Sequence, residues 1–180
     1  MGDVEWIRPP RLTEVVAAYQ GFACGAGVRT GLVDQLVACS AEDPLAALAA
    51  WASNPGVQHD LVSRQAARGG SVRSQGPGAL IWALPAAVQR LDEDRIRELV
   101  ALTHGPDSPA ADAVITLAAH LFTPSELDPP DADPFTAAGA LAQAVRGEGR
   151  GVARAVAGAL QGGPEHDVRL VAEELYRRSW

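Results

Sequence analysis

The chain contains no lysine, only two cysteines and few aromatic side chains. Its fifteen basic residues are therefore all arginine, which excludes lysine Schiff-base chemistry and the phosphate-binding lysine of a P-loop. Cys24 and Cys39 are too few for a disulfide framework or for a four-thiolate zinc site. We expect both to be buried free thiols within helices.

Long apolar runs and an excess of positive charge are also missing. No stretch approaches membrane-spanning length, and Asp3 and Glu5 lie where a secretory signal would carry cations. The net charge of −7 disfavours a broad basic surface for nucleic acid or for an anionic membrane. We therefore expect a cytoplasmic protein, with residues 1–180 forming a single domain that binds neither nucleic acid nor membranes.

Apolar residues recur at helical spacing along most of the chain. Asp43-Pro44 and Ser108-Pro109 each place a capping side chain before a proline at the first helical position, and Asp92 caps a further helix. No window shows the apolar and polar alternation, enriched in β-branched residues, that strands require. The sequence therefore predicts an all-α fold of about eight helices.

A glycine-rich loop, residues 69–78, interrupts these helices. Glycine permits positive φ and close backbone approach, so the amides of Gly76 and Gly78 are able to point at a phosphate while the next helix presents its positive end. A diphosphate fits that geometry. A plain helix connection uses the same residue types, however, so the loop alone leaves both interpretations open.

The segment that begins with this loop carries the most specific pattern of the chain. Residues 74–85 match the pattern Ser-x-Gly-Asn-Gly-Ala-x-Met-Arg-x-x-Pro except at its Asn, Met and Arg, and a Thr-His pair comes later, at Thr103 and His104. In this motif and pair the chain resembles the ADP-ribosylglycohydrolase family, which includes the dinitrogenase reductase-activating glycohydrolases. The matching motif positions are Ser74, Gly76, Gly78, Ala79 and Pro85.

The resemblance extends toward both ends of the chain. The glycine pattern from Gly21 to Gly25 is similar to the family's first helix, and residues 157–160, Ala-Gly-Ala-Leu, are similar to its last core helix. It implies an orthogonal multi-helix bundle and a site for ADP-ribose or a related nucleotide. The implied ligand-binding residues are Ser74, Gly76, Gly78, Thr103 and His104.

Active members of the family hold two magnesium ions between two acidic clusters, because hard cations need several carboxylate oxygens. In this chain the positions of the second cluster are occupied by Gly149, Arg150 and Gly151, which include no acid. The Gly-Asp pair of the family's first helix is replaced by Gly25-Ala26. We therefore expect no metal cofactor. The resemblance then implies a catalytically degenerate protein that binds ADP-ribose, a related nucleotide or a protein partner. The Asn, Met and Arg of the family's motif correspond to Pro77, Ile81 and Trp82 in this chain.

Two other functions stay open. An active ADP-ribosyl hydrolase that cleaves an N- or O-glycosidic bond would use His104 with Asp107. An accessory or inhibitory interaction module would present Trp82 and Trp180 to another protein, although large aromatics in an alanine-rich bundle are usually core anchors. None of the four histidines has the spacing of a known metal motif, and we expect His120 to be satisfied by a backbone carbonyl.

Overall fold

The computed structural model of the chain describes residues 6, 8–26, 32–53, 77–122, 141, 142, 145, 152–161 and 168–180. Regular secondary structure in these ranges is helical, with no strand, which confirms the all-α prediction. The elements are α1 (Leu12–Ala26), α2 (Leu32–Cys39), α3 (Pro44–Ser53), a 3-10 helix (Pro77–Trp82), α4 (Ala83–Gln89), α5 (Glu93–His104), α6 (Ala110–His120), α7 (Val152–Gln161) and α8 (Arg169–Ser179). Of the helices described, none is long and apolar enough to span a membrane.

Three helix starts predicted from the sequence are confirmed by their hydrogen bonds. Asp43 Oδ1 accepts a hydrogen bond from the Ala46 amide at 3.1 Å, and Asp92 Oδ1 accepts one from the Arg95 amide at 2.8 Å. Ser108 Oγ accepts the amide of Ala110 at 3.2 Å. Each bond satisfies an amide that has no partner within its own helix. These short-range contacts explain why local sequence predicted where α3, α5 and α6 begin.

Helix α1 makes its most extensive described contacts with α7, and glycines lie where the two helices meet. A Cβ atom added to Gly158 would collide with the carbonyl oxygen of Gly21 and lie 3.1 Å from the amide nitrogen of Gly25. A Cβ atom on Gly25 would collide with the carbonyl oxygen of Arg154 and lie 2.9 Å from the Cα of Ala155. The two backbones are therefore in direct contact, which only glycine allows at these positions.

The 3-10 helix and α4 form the inner part of the core. Every side chain from Ala79 to Val88 is buried, and the 3-10 helix packs against α2, α5, α6 and α7. Trp82 is only 3% exposed and Trp51 only 7%. Both tryptophans are thus core anchors, as expected for aromatics in an alanine-rich bundle, and Trp82 is not available as an interaction surface.

A buried polar network joins α1, α2 and α8. The Tyr19 Oη and Ser40 Oγ atoms lie 2.7 Å apart, and Ser40 Oγ donates to the carbonyl oxygen of Leu36 at 2.7 Å. Because the serine proton is used in that bond, Tyr19 donates to Ser40. Arg178 Nη2 donates to the Ser40 carbonyl oxygen at 2.7 Å. Burial raises the pKa of the Tyr19 phenol, so the phenol keeps the proton that it donates.

The prediction of two buried thiols is right for Cys39 and wrong for Cys24, which is exposed on α1. Burial raises the pKa of the Cys39 thiol and keeps it neutral. Leu45, which lies at helical spacing from Leu48 and Ala52, is 55% exposed in the first turn of α3. Helical periodicity identifies an apolar face, but the neighbouring helices decide how much of that face is covered.

Arg8 links the segment before α1 to the end of α6. Its guanidinium makes a two-pronged ion pair with the Glu14 carboxylate, in which Nη1 donates to Oε2 at 2.9 Å, and Nη2 also donates to the Phe122 carbonyl oxygen at 2.9 Å. Glu14 accepts the Arg11 amide as well, at 2.8 Å. The hydrogen bond from Arg8 is the main cause that lowers the pKa of Glu14 to about 2.

We expect Glu14→Gln to lower the free energy of unfolding by about 1 kcal/mol at neutral pH, allowing for solvent screening of this partly exposed pair. The carboxylate contributes stability above its ordinary pKa of 4.5 and loses that contribution as the pH falls toward its folded pKa of about 2. Urea unfolding at a series of pH values measures the difference between the two proteins. It should shrink steadily below a pH of about 5.

The matched control for this prediction is Glu98→Gln, which breaks a more exposed pair with Arg95 on α5. Its stability difference from the wild type should be smaller, because exposed pairs contribute little. A Glu14→Gln difference that stays constant down to the acid limit would contradict the proposed role of the ion pair.

Candidate functional site

Of the glycine-rich loop, Gly78 is the only predicted ligand residue that lies within the described residues; Ser74 and Gly76 lie outside them. Gly78 is the second residue of the 3-10 helix and is partly buried. It does not adopt positive φ, since Gly105 is the one glycine of the described part of the chain that does. A Cβ atom added to Gly78 would meet nothing within 4 Å. Gly78 thus does not use the positive φ that glycine permits, but its backbone borders open space.

His104 is the last residue of α5 and is only 6% exposed. The backbone of Thr103 precedes it in the helix. Gly105 ends the helix at φ 86°, and its amide donates to the Ala101 carbonyl oxygen at 3.1 Å. Positive φ at this position favours glycine over any residue with a Cβ atom. The imidazole is thus held inside the domain by a glycine-terminated helix, and α5 packs against the 3-10 helix that carries Gly78.

Asp107 lies in the turn between α5 and α6, and its side chain is exposed. Within the described part of the chain it forms no hydrogen bond or ion pair. Where a carboxylate orients a histidine base, the two side chains lie within hydrogen-bonding reach. The two residues proposed for an active hydrolase are thus close along the chain, but the structure does not join the Asp107 carboxylate to the His104 imidazole.

The end of α1 and the start of α7 meet at Gly25 and Arg154. The family resemblance implies that the two acidic clusters of active members lie next to these two helix ends. Positions 149–151 are outside the described residues. Among the described ones, Cys24, Ala26 and Arg154 flank the contact and provide no carboxylate. No group of three or more His, Cys, Asp or Glu side chains able to hold a metal is found in the described ranges.

His120 behaves as predicted for a helix imidazole. Its Nδ1 lies 2.7 Å from the carbonyl oxygen of Thr116, one turn earlier in α6. That contact uses one ring nitrogen in a local bond with the backbone, which is common at helix ends. Nδ1 of His120 thus takes part in a local backbone contact, and His104 is the buried histidine of the described core.

Sequence reasoning missed an arginine with a left-handed backbone. Arg90 follows α4 at φ 52° and ψ 50°, and its guanidinium carbon lies 5.4 Å from the centroid of the Trp180 ring. The indole Nε1 donates to the Val88 carbonyl oxygen at 3.0 Å. Nε and Nη2 of Arg90 are buried without a hydrogen-bond partner, at a cost of about 1–3 kcal/mol for each group. No local pattern marks this residue, because Trp180 comes from the far end of the chain.

Comparison with known protein families, characterised proteins and solved structures finds no match for this chain. The residues of the site itself are therefore the basis for its proposed chemistry. Those residues are the open backbone at Gly78, the buried His104 and the contact between α1 and α7.

Proposed function

We propose that this chain is a catalytically degenerate ADP-ribosylglycohydrolase-like domain. In this proposal the helices form the family's orthogonal bundle, and the domain binds ADP-ribose or a related nucleotide without metal-dependent hydrolysis. The main support is the contact between α1 and α7, which brings together Gly21, Gly25 and Gly158 from the two segments that resemble the family's first and last core helices. These two segments are far apart in the sequence, so their backbone contact is set by the tertiary fold and not by local sequence.

The arrangement around the loop also indicates how a nucleotide would be held. Ile81 and Trp82 occupy the positions of the family's Met and Arg, and both are buried in the core. Neither contributes a polar group to a ligand, so the guanidinium grip of active members is missing. Backbone amides beside Gly78, where space is open, and the imidazole of His104 are left as the polar contacts. This set of contacts favours binding without cleavage.

Calorimetry with ADP-ribose tests this function. We expect saturable binding that is the same in magnesium and in a chelator, and no release of ADP-ribose from a modified arginine substrate. Gly78→Val should weaken the affinity by about tenfold or more, because the side chain fills the open space beside the backbone. The thermal midpoint should change little, since the added Cβ meets no neighbour within 4 Å.

Asp107→Asn is the control, because the exposed Asp107 carboxylate takes no part in the proposed binding. Its affinity for ADP-ribose should equal that of the wild type. Absence of any ADP-ribose binding would reject the proposal, as would tight binding of two magnesium ions. Release of ADP-ribose that is lost in both His104→Ala and Asp107→Asn would instead establish the active hydrolase.

A further inference from the structure

One edge of the Arg90 guanidinium is buried and unused. Nε and Nη2 lie side by side on the guanidinium, and in this structure neither donates a hydrogen bond. These two N–H groups form the side-on face that pairs with both oxygens of a carboxylate or with two oxygens of a phosphate. Buried donors are nearly always satisfied in proteins. The geometry of the unused pair therefore matches an oxyanion.

The backbone conformation of Arg90 is a second, independent observation. After a helix, the left-handed position is normally occupied by glycine, because a side chain is strained there. Arg90 takes this conformation at φ 52°, and its amide closes α4 through a bond to the Ala86 carbonyl oxygen. Glycine would close the helix equally well, so the turn does not require the arginine side chain.

Trp180 lies against Arg90, and the helix that precedes it packs against α4. Helix α8 packs against α4 and carries Arg177 and Arg178 in its last turn. Trp180, which lies over the guanidinium, is 53% exposed and is held by the hydrogen bond from Nε1 to the Val88 carbonyl oxygen. This hydrogen bond and the contact with Arg90 hold the indole in place.

We propose that Arg90 binds an oxyanion through its Nε and Nη2 groups, and that Trp180 covers this site when no anion is bound. The ligand group is a carboxylate or a phosphate, which share this recognition chemistry. The site uses none of the residues assigned to nucleotide binding, so it does not depend on the proposed function. Arg90 holds the charge and sets the two-pronged geometry, while the indole excludes water from the buried edge.

Nuclear magnetic resonance of the full chain tests this site with acetate, phosphate and chloride at equal ionic strength. Trp180→Phe identifies the Trp180 indole signal, and Arg90→Gly identifies the Arg90 Nε signal. We expect acetate or phosphate to shift both signals saturably in the wild type, and chloride to shift neither. Whichever oxyanion binds more tightly identifies the ligand group. Arg90→Gln should weaken binding by about tenfold or more.

Arg177→Gln is the matched control, because it removes an exposed arginine from the last turn of α8, the helix that precedes Trp180. It should retain the saturable shift with an affinity close to that of the wild type. Arg90→Gly suits the left-handed backbone, so it removes the guanidinium without straining the turn. Equal losses in Arg90→Gln and Arg177→Gln would overturn the proposal, as would an unsaturable shift or no shift in the wild type.

Discussion

Replacing Gly158 with alanine should lower the free energy of unfolding by about 3 kcal/mol. The new Cβ atom would collide with the Gly21 carbonyl oxygen and lie 3.0 Å from its carbonyl carbon. Both are backbone atoms of α1, so relief requires the two helices to separate along their most extensive contact. Alanine would otherwise favour the helix by about 1 kcal/mol over glycine; the collision outweighs that gain. Thermal unfolding should show a midpoint about 6–12 °C lower for a chain of this length.

Gly78→Ala is the control for this substitution, because a Cβ atom there meets nothing within 4 Å. Its stability should change by less than about 0.5 kcal/mol. A Gly158→Ala protein as stable as the wild type would show that α1 and α7 are not in backbone contact. The support for the proposed function would then be lost with it, because the proposal relies on that contact.

Trp82→Ala should destabilise the domain by about 3–5 kcal/mol. The indole is 3% exposed and lies in a continuous buried segment, so its removal leaves a large cavity in the core. Trp180→Ala should cost about 1 kcal/mol, since Trp180 is 53% exposed and loses chiefly one hydrogen bond and the contact with Arg90. Chemical denaturation of the two variants measures both values.

The comparison of these two variants also tests the interaction-module alternative. If Trp82 formed part of a partner surface, Trp82→Ala would be no more costly than Trp180→Ala, and the two variants would unfold at similar denaturant concentrations. The expected large difference leaves Trp180 as the one tryptophan of that pair able to contact a partner. An interaction surface built on both residues would then be ruled out.

The sequence predicted correctly those features that depend on neighbours along the chain. The capping bonds of Asp43, Asp92 and Ser108 span two or three residues, so their partners are visible in the sequence itself. The bond from His120 to the turn before it is equally local. Helical spacing likewise predicted an all-α fold, because the period of apolar residues follows from helix geometry.

The candidate site was predictable only in part. The glycine pattern and the Thr-His pair selected Gly78, Thr103 and His104, but they did not indicate the backbone conformation of Gly78 or the burial of His104. Neither residue type nor spacing indicated that Gly78 would lack positive φ or that the Asp107 carboxylate would not contact the His104 imidazole. A residue's φ and burial depend on the elements packed around it, and these come from distant parts of the chain.

By itself, the sequence determined the helical class, several helix starts and the absence of lysine chemistry, since each follows from residue type or short spacing. Tertiary structure alone decided that Cys24 is exposed, that Gly158 lies against Gly21, and that Arg90 meets Trp180. These outcomes depend on which helix faces pair between segments that are far apart in the chain. That choice is made by the packing of the whole core, in which the space available to each side chain is set by residues far away along the chain.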